Sequence, residues 1–406
     1  MICRHCGTQL DIPLIDLGTA PASNSYLRAR DLDKPQAYFP LRVKVCHQCW
    51  LVQTEDYTQR EDLFSPDYAY FSSTSHSWIG HSKKFATTIS KLLGLDGSSL
   101  VVEIASNDGY LLKNFKEMGI PCLGVEPATE TANAAVALGI RVRQEFFGES
   151  VAEKIAFEDG KADLIVGNNV YAHVPEINDF TRGLKVLLGE KGTITLEFPH
   201  LFRLIEECQF DTIYHEHFSY LSLSVVSRIF DAAGLRIFDV EELGTHGGSL
   251  RVYGAHSFDD RPLTNRAKDL LQKELASGLE SPGAYEDFQE RAIRIRNRFT
   301  SFLIGSQEAG ELVLGYGAAA KGNTLLNYAG IRKDLLPIVF DAAPSKQGLF
   351  LPGTQIPIRP PEEIPLHDAS RILVLPWNLS TEIEASMKKL VSTECEFVSL
   401  PLLTGR

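Results

Sequence analysis

Tyr214-His215-Glu216-His217 sets four titratable side chains in succession, which is costly to bury unless the groups pair or react. A histidine near neutral pH can take a proton from carbon or oxygen, and a neighbouring carboxylate can orient it. The two histidines stand two residues apart rather than four, which excludes a metal site of the HExxH kind. An exposed polar loop is the competing reading. A second stretch, Asp67-Tyr68-Ala69-Tyr70-Phe71-Ser72-Ser73, offers phenol hydroxyls able to hydrogen-bond a developing oxyanion; core packing of the same rings is the alternative.

Four of the seven cysteines form two CxxC pairs, Cys3 with Cys6 and Cys46 with Cys49. Each pair presents two thiolates from one tight turn, and two pairs complete a tetrahedral zinc shell with no open position. The expected zinc is therefore structural. About forty residues separate the pairs, room for an inserted strand or hairpin. Cys122, Cys208 and Cys395 lie outside any paired spacing and read as core thiols.

Val101-Val102-Glu103-Ile104-Ala105-Ser106-Asn107-Asp108-Gly109 reads as a buried strand and a small-residue turn. Ligands of doubly wound sheets bind beyond the carboxyl ends of such strands. The next strand, Cys122–Val125, ends at Glu126, where a carboxylate can accept both ribose hydroxyls of a nucleoside. Asn168-Asn169 closes a third strand. These positions (Glu103, Ser106, Asn107, Gly109, Glu126, Asn168, Asn169) form the candidate cofactor set, and the glycine pattern of a dinucleotide site is absent. Thr245-His246-Gly247-Gly248-Ser249-Leu250-Arg251 joins two late strands; its glycines free the backbone to approach a ligand, and Arg251 is suited to a phosphate. A tight hairpin without ligand fits equally. Gly317-Ala318-Ala319-Ala320-Lys321-Gly322-Asn323 opens a helix after a strand, a setting that binds phosphate oxygens.

These motifs require a scaffold of alternating strands and helices. From Lys91 to about Tyr253 the βα alternation predicts a parallel sheet, closed by a hairpin that adds an antiparallel edge strand. Residues 262–305 read as linking helices, and a second αβ pattern runs from Glu311 to the end. The expected divisions are 1–66, 67–260, 261–305 and 306–406. The 406 residues carry a formal net charge of −12, which argues against non-specific nucleic-acid binding. There is no apolar run long enough for a membrane span, and the N-terminus lacks the apolar core of a signal peptide. A cytoplasmic protein is expected.

Taken together and in order, the two cysteine pairs, the SNDG turn, Tyr214-His215-Glu216-His217, the HGGSLR run and GAAAKG resemble the sugar C-methyltransferases, over nearly the whole chain. The resemblance implies three parts: a zinc module, a central Rossmann-like class I methyltransferase sheet that binds S-adenosylmethionine, and a C-terminal Rossmann-like α/β domain that helps bind a nucleotide sugar. It implies that Glu126 holds the cofactor ribose, that His217 is the base, and that Tyr214 and Glu216 flank the reacting sugar. Tyr68 or Tyr70, with Tyr68 favoured, matches an active-site tyrosine, and Tyr70, His246, Arg251, Lys321 and Asn323 are the expected substrate contacts. The implied substrate is a nucleotide-linked 4-keto-6-deoxy sugar, with a dTDP link expected and the base itself left open. The implied product is the C-3-methylated sugar; a monomer or weak homodimer is expected, since three domains can close a cleft alone. An epimerase that forms the same enolate without methyl transfer, and a zinc-dependent scaffold, are the alternatives.

Overall fold

The computed structural model describes residues 1–57, 71–74, 76–392 and 394–404; Tyr68 and Tyr70 lie outside the described residues. The N-terminal module is built on strands β1 (Ile12–Ala20), β2 (Phe39–Val45) and β3 (Val52–Thr54), paired antiparallel in that order. β1 and β2 thus form the hairpin that the long spacing between cysteine pairs allows. Along β2, buried Leu41, Val43 and Val45 alternate with more exposed neighbours, which gives the sheet one apolar face.

The central domain carries β4 (Val101–Ile104), β5 (Cys122–Val125), β6 (Arg141–Arg143), β7 (Ala162–Asn168), β8 (Leu188–Pro199), β9 (Ser219–Tyr220), β10 (Leu235–Leu243) and β11 (Ser249–His256). Seven of these form one sheet in the order β10-β11-β8-β7-β4-β5-β6. β4 pairs parallel with β5 and β7 and is buried throughout, as strands covered by helices on both faces must be. The expected antiparallel edge strand is corrected here. β11 is antiparallel to both β8 and β10, but it is inserted between them, and β10 forms the edge. Seven of the eight β11 residues are buried, whereas only three of nine are in β10, which carries Arg236, Asp239, Glu241 and Glu242. The more highly charged strand takes the edge.

Capping sets the helix that follows β9. Ser222 accepts a hydrogen bond from the Val225 amide at the start of Leu223–Ala233, and Gly234, at φ 76°, ends it. Such an N-cap contributes about 1 kcal/mol, and the left-handed stop suits glycine. β9 itself leaves the central sheet and pairs with β3, Val52 opposite Tyr220 and Gln53 opposite Ser219.

Helices Asn265–Ala276 and Phe288–Glu308 lead to the C-terminal domain. Its strands β12 (Val313–Tyr316), β13 (Val339–Phe340), β14 (Ile358–Arg359), β15 (Arg371–Val374) and β16 (Glu396–Ser399) form an all-parallel sheet in the order β14-β13-β12-β15-β16. One apolar cluster runs from β1 and β2 through the helices Leu201–Glu206 and Phe288–Glu308 to β12 and β13. Polar bonds cross the same seam: Tyr26 donates its hydroxyl proton to the Ala318 carbonyl at 2.7 Å, and Asn323 donates to the Ser23 carbonyl at 2.7 Å.

Candidate active site

A cavity of about 1000 Å³ opens where the three parts meet. Single-ligand pockets run from about 300 to about 1000 Å³, so this one stands at the upper end of that range. One end is walled by Ala105, Asn107, Glu126 and Asn168, at the carboxyl ends of β4, β5 and β7; the other is walled by Ala320, Lys321, Lys346 and Asn378 of the C-terminal domain. Tyr214, His217, His173 and His246 line it as well.

His217 is the best-anchored of these groups. Its Nδ1 lies 2.9 Å from the Thr212 carbonyl, which can only accept, so Nδ1 carries the proton. Nε2 of the neutral ring is then an acceptor, and the Tyr214 hydroxyl donates to it at 2.8 Å. His173 stands edge-on to the His217 ring at 4.7 Å and donates from Nδ1 to the Glu216 carbonyl at 2.7 Å. Burial holds His217 well below the ordinary imidazole range; His173 adds to this, and the Thr212 bond opposes it. Burial also takes His173 and His246 down to about 4. All three rings are therefore neutral at pH 7. His246 is joined to the other end of the site, where Asn169 donates from Nδ2 to its Nε2 at 3.0 Å.

At the β4 and β5 ends, the Glu126 carboxylate accepts the Asn107 and Ala128 amides, each at 2.9 Å. Each oxygen keeps a further lone pair. Burial raises the Glu126 carboxyl, and those two amides oppose the shift. Both side-chain polar atoms of Asn168 are buried without a hydrogen-bond partner, as is Asn169 Oδ1. Buried polar atoms are seldom left unpaired, and here they stand around the nucleoside end of the cavity. This donor and acceptor set fits S-adenosylmethionine. Backbone strain gathers at the same place. Ala105, Asn107, Asn169 and His246 all have φ between 49° and 57°, the left-handed region that non-glycine residues rarely adopt.

The four cysteine sulfurs lie within 4.8 Å of one another, with Cys3–Cys49 and Cys6–Cys46 each at 3.5 Å. Zinc–sulfur bonds of about 2.3 Å give tetrahedron edges of about 3.8 Å, so the cluster fits zinc. Gln53 donates to Cys3 Sγ at 3.3 Å and accepts the Arg4 amide at 3.0 Å, which fixes the first knuckle. Next along β3, Thr54 donates its hydroxyl proton to the His217 carbonyl at 3.0 Å. The zinc module thus holds the backbone of the imidazole that lines the cavity.

Several expected residues take other positions. Arg251 is 4% exposed and lies outside the cavity. The strand register sets it directly opposite Glu197 on β8 and Glu241 on β10, and it pairs with both, at 2.6 and 3.0 Å. It is a sheet ion pair and not a phosphate contact. Asn323 joins the C-terminal helix to the Ser23 carbonyl and does not line the cavity. Gly109 is required by packing: at φ 78°, a Cβ there would meet Ile140 at 2.5 Å. Glu103 and Ser106 lie behind the lining, and burial raises the Glu103 carboxyl strongly, the Tyr110 hydroxyl opposing. Glu216 also lies behind it, accepting the Asn24 amide and side chain at 3.3 and 3.1 Å. Gly247 and Gly248 approach Trp377 and Arg203 rather than a ligand.

Sequence reasoning missed His173, His81 and Lys346, all of which line the cavity. His173 follows Asn168-Asn169 by one short turn, and that proximity was the available signal. His81 reaches the cavity from helix His76–Leu93 and bonds Glu197 at 3.0 Å. Burial alone would raise Glu197, but His81 and Arg251 bring it down to about 2.

A Rossmann-like sheet with a nucleoside end, a four-thiolate module and a second α/β domain closing over a buried histidine define a two-substrate transferase. The comparisons agree. Residues 3–64 match the family model of a zinc binding domain, residues 78–240 that of a methyltransferase domain, and residues 244–401 that of a C-methyltransferase C-terminal domain. C-methyltransferase NovU of Streptomyces niveus is 34% identical over 396 residues, covering 98% of this chain and 94% of NovU. Among solved structures, magnesium protoporphyrin IX methyltransferase ChlM of Synechocystis PCC 6803 matches 44% of this chain and 81% of its own at 15% identity and a TM-score of 0.33. YcgJ of Bacillus subtilis matches 44% and 100% at 14% identity and a TM-score of 0.35. The chain belongs to the C-methyltransferase family that the sequence motifs resemble. It is S-adenosylmethionine-dependent and carries zinc.

Proposed function

We propose that the chain methylates C-3 of a nucleotide-linked 4-keto-6-deoxy sugar, with His217 as the base. The carrying observation is the fixed tautomer of His217, a residue that lines the cavity: a protonated Nδ1 on the Thr212 carbonyl and an acceptor Nε2 in contact with Tyr214, which lines it too. A hydrogen on the carbon beside a ketone is acidic because the resulting carbanion delocalises onto oxygen. That hydrogen, brought to Nε2, replaces the Tyr214 contact. The proton then passes to Nε2, and the freed Tyr214 hydroxyl is available to donate to the enolate oxygen. Bound S-adenosylmethionine supplies an electrophilic methyl group on sulfonium. Glu126 and Asn168 hold its nucleoside at the near end of the cavity, and the neutral histidines keep the reacting centre free of competing positive charge.

Lys321 and Lys346 support a diphosphate at the far end, since both residues line it. Lys346 is 3.6 Å from Asp341, and Lys321 donates to Asn378 at 2.6 Å. The family relationship favours methyl transfer over the epimerase reading, and the buried, cavity-lining histidines disfavour a scaffold. The test is incubation with S-adenosylmethionine and a dTDP-4-keto-6-deoxy sugar, with NMR of the product. A new methyl group on C-3 is expected. Methyl transfer to oxygen or nitrogen, or epimerisation without methylation, would overturn the reading.

A further inference from the structure

The Thr212 carbonyl sets the His217 tautomer, and it sits in a segment held from three sides. Asp211, 1% exposed, accepts the indole N–H of Trp377 at 2.5 Å. Thr324 donates its hydroxyl proton to the Ile213 carbonyl at 2.8 Å. Gln209 donates from Nε2 to the Gly247 carbonyl at 2.8 Å. Trp377 also has two further contacts. Gly247 packs so closely on the indole that a Cβ would come within 2.3 Å of the ring. Lys321 holds its ammonium 4.6 Å from the ring centroid, a cation–π contact. The residues on either side, Pro376 and Asn378, line the cavity.

One side chain of the C-terminal domain therefore touches the carboxylate beside Thr212, the loop carrying His246, and a lysine at the far end of the cavity. Filling space between domains would require the ring but not the N–H, and would not call for a buried carboxylate as its partner. We propose that Trp377 is a positioning residue for His217: through Asp211 it holds the Thr212 carbonyl in place, and so it keeps the His217 proton on Nδ1 once the C-terminal domain is seated. This rests on the reading of His217 as the base.

The test uses the full-length, zinc-loaded protein labelled with 15N-histidine, with the His217 ring assigned by its loss in His217→Asn. Trp377→Phe keeps an aromatic ring and deletes the N–H; Asp211→Asn weakens the acceptor. In the wild type, the His217 Nδ1 proton is expected to be observable and slow to exchange. In Trp377→Phe its exchange should be at least ten-fold faster. Turnover with a dTDP-4-keto-6-deoxy sugar should fall about ten-fold, with the KM for S-adenosylmethionine within two-fold and the melting temperature unchanged. Asp211→Asn should shift exchange in the same direction by a smaller factor. An unaltered His217 signal and unaltered kcat in both variants would overturn the proposal, as would a parallel loss of melting temperature and cofactor affinity that marks plain packing. If the Trp377→Phe signal moves while His217→Asn keeps full turnover, the positioning role stands and the assignment of the base falls.

Discussion

At the scale of the residue, the central object is an imidazole kept neutral by burial and fixed in one tautomer by a carbonyl. Desolvation disfavours the imidazolium, so the basic form persists to lower pH than for a solvated histidine. Tyr214, His173 and Tyr220 pack around the ring, and the positive charge of Lys321 also acts on it. All of these disfavour added positive charge. The acid limb of kcat/KM against pH is therefore expected below 6.5, the ordinary histidine value, with rates flat from pH 7 to 8. A limb centred at or above 6.5 would show that a solvated or carboxylate-paired group controls the reaction instead.

At the scale of the element, the short β3–β9 pairing carries more than its two residue pairs suggest. It joins the zinc sheet to the strand that begins two residues after His217. Replacing Cys3 with Ser removes one of four thiolates, and structural zinc sites of this kind contribute strongly to folding. The expected result is a drop from about one zinc per chain to a substoichiometric content. Turnover should fall more than ten-fold, and the melting temperature by more than about 5 °C. A zinc-poor Cys3→Ser protein with full turnover would separate the metal from the base. The elements that the sequence made legible were those with a local signal: the CxxC pairs, the apolar strand at Val101, the strand that ends at Glu126. What it hid were facts of register. Arg251 reads as a phosphate ligand along the chain, and only the pairing of β11 with β8 and β10 shows two carboxylates directly opposite it. The inserted position of β11 was hidden for the same reason, because it is a matter of which arm of the hairpin pairs with β8.

At the scale of the whole molecule, three parts converge on one cavity, and the seam between them was not readable from any single motif. Lys346 and Asn24 line the cavity yet are far apart in sequence, as are Asp211 and Trp377, which bond across the seam. The division of labour gives a direct expectation. Lys321→Met and Lys346→Met should each raise the KM for the nucleotide sugar about ten-fold, through loss of a charge-assisted phosphate contact, and leave the KM for S-adenosylmethionine within two-fold. Equal effects on both substrates would mean that the two ends of the cavity are not separate sites.

The most direct measurement is hydrogen exchange at the sugar carbon in D2O, without a methyl donor and with S-adenosylhomocysteine in its place. With a dTDP-4-keto-6-deoxy sugar, the wild-type protein should replace the C-3 hydrogen by deuterium. His217→Asn should slow that exchange by a factor of about 100 or more, while its affinity for S-adenosylhomocysteine stays within two-fold. Exchange at the wild-type rate in His217→Asn would contradict the assignment of His217 as the group that takes the proton.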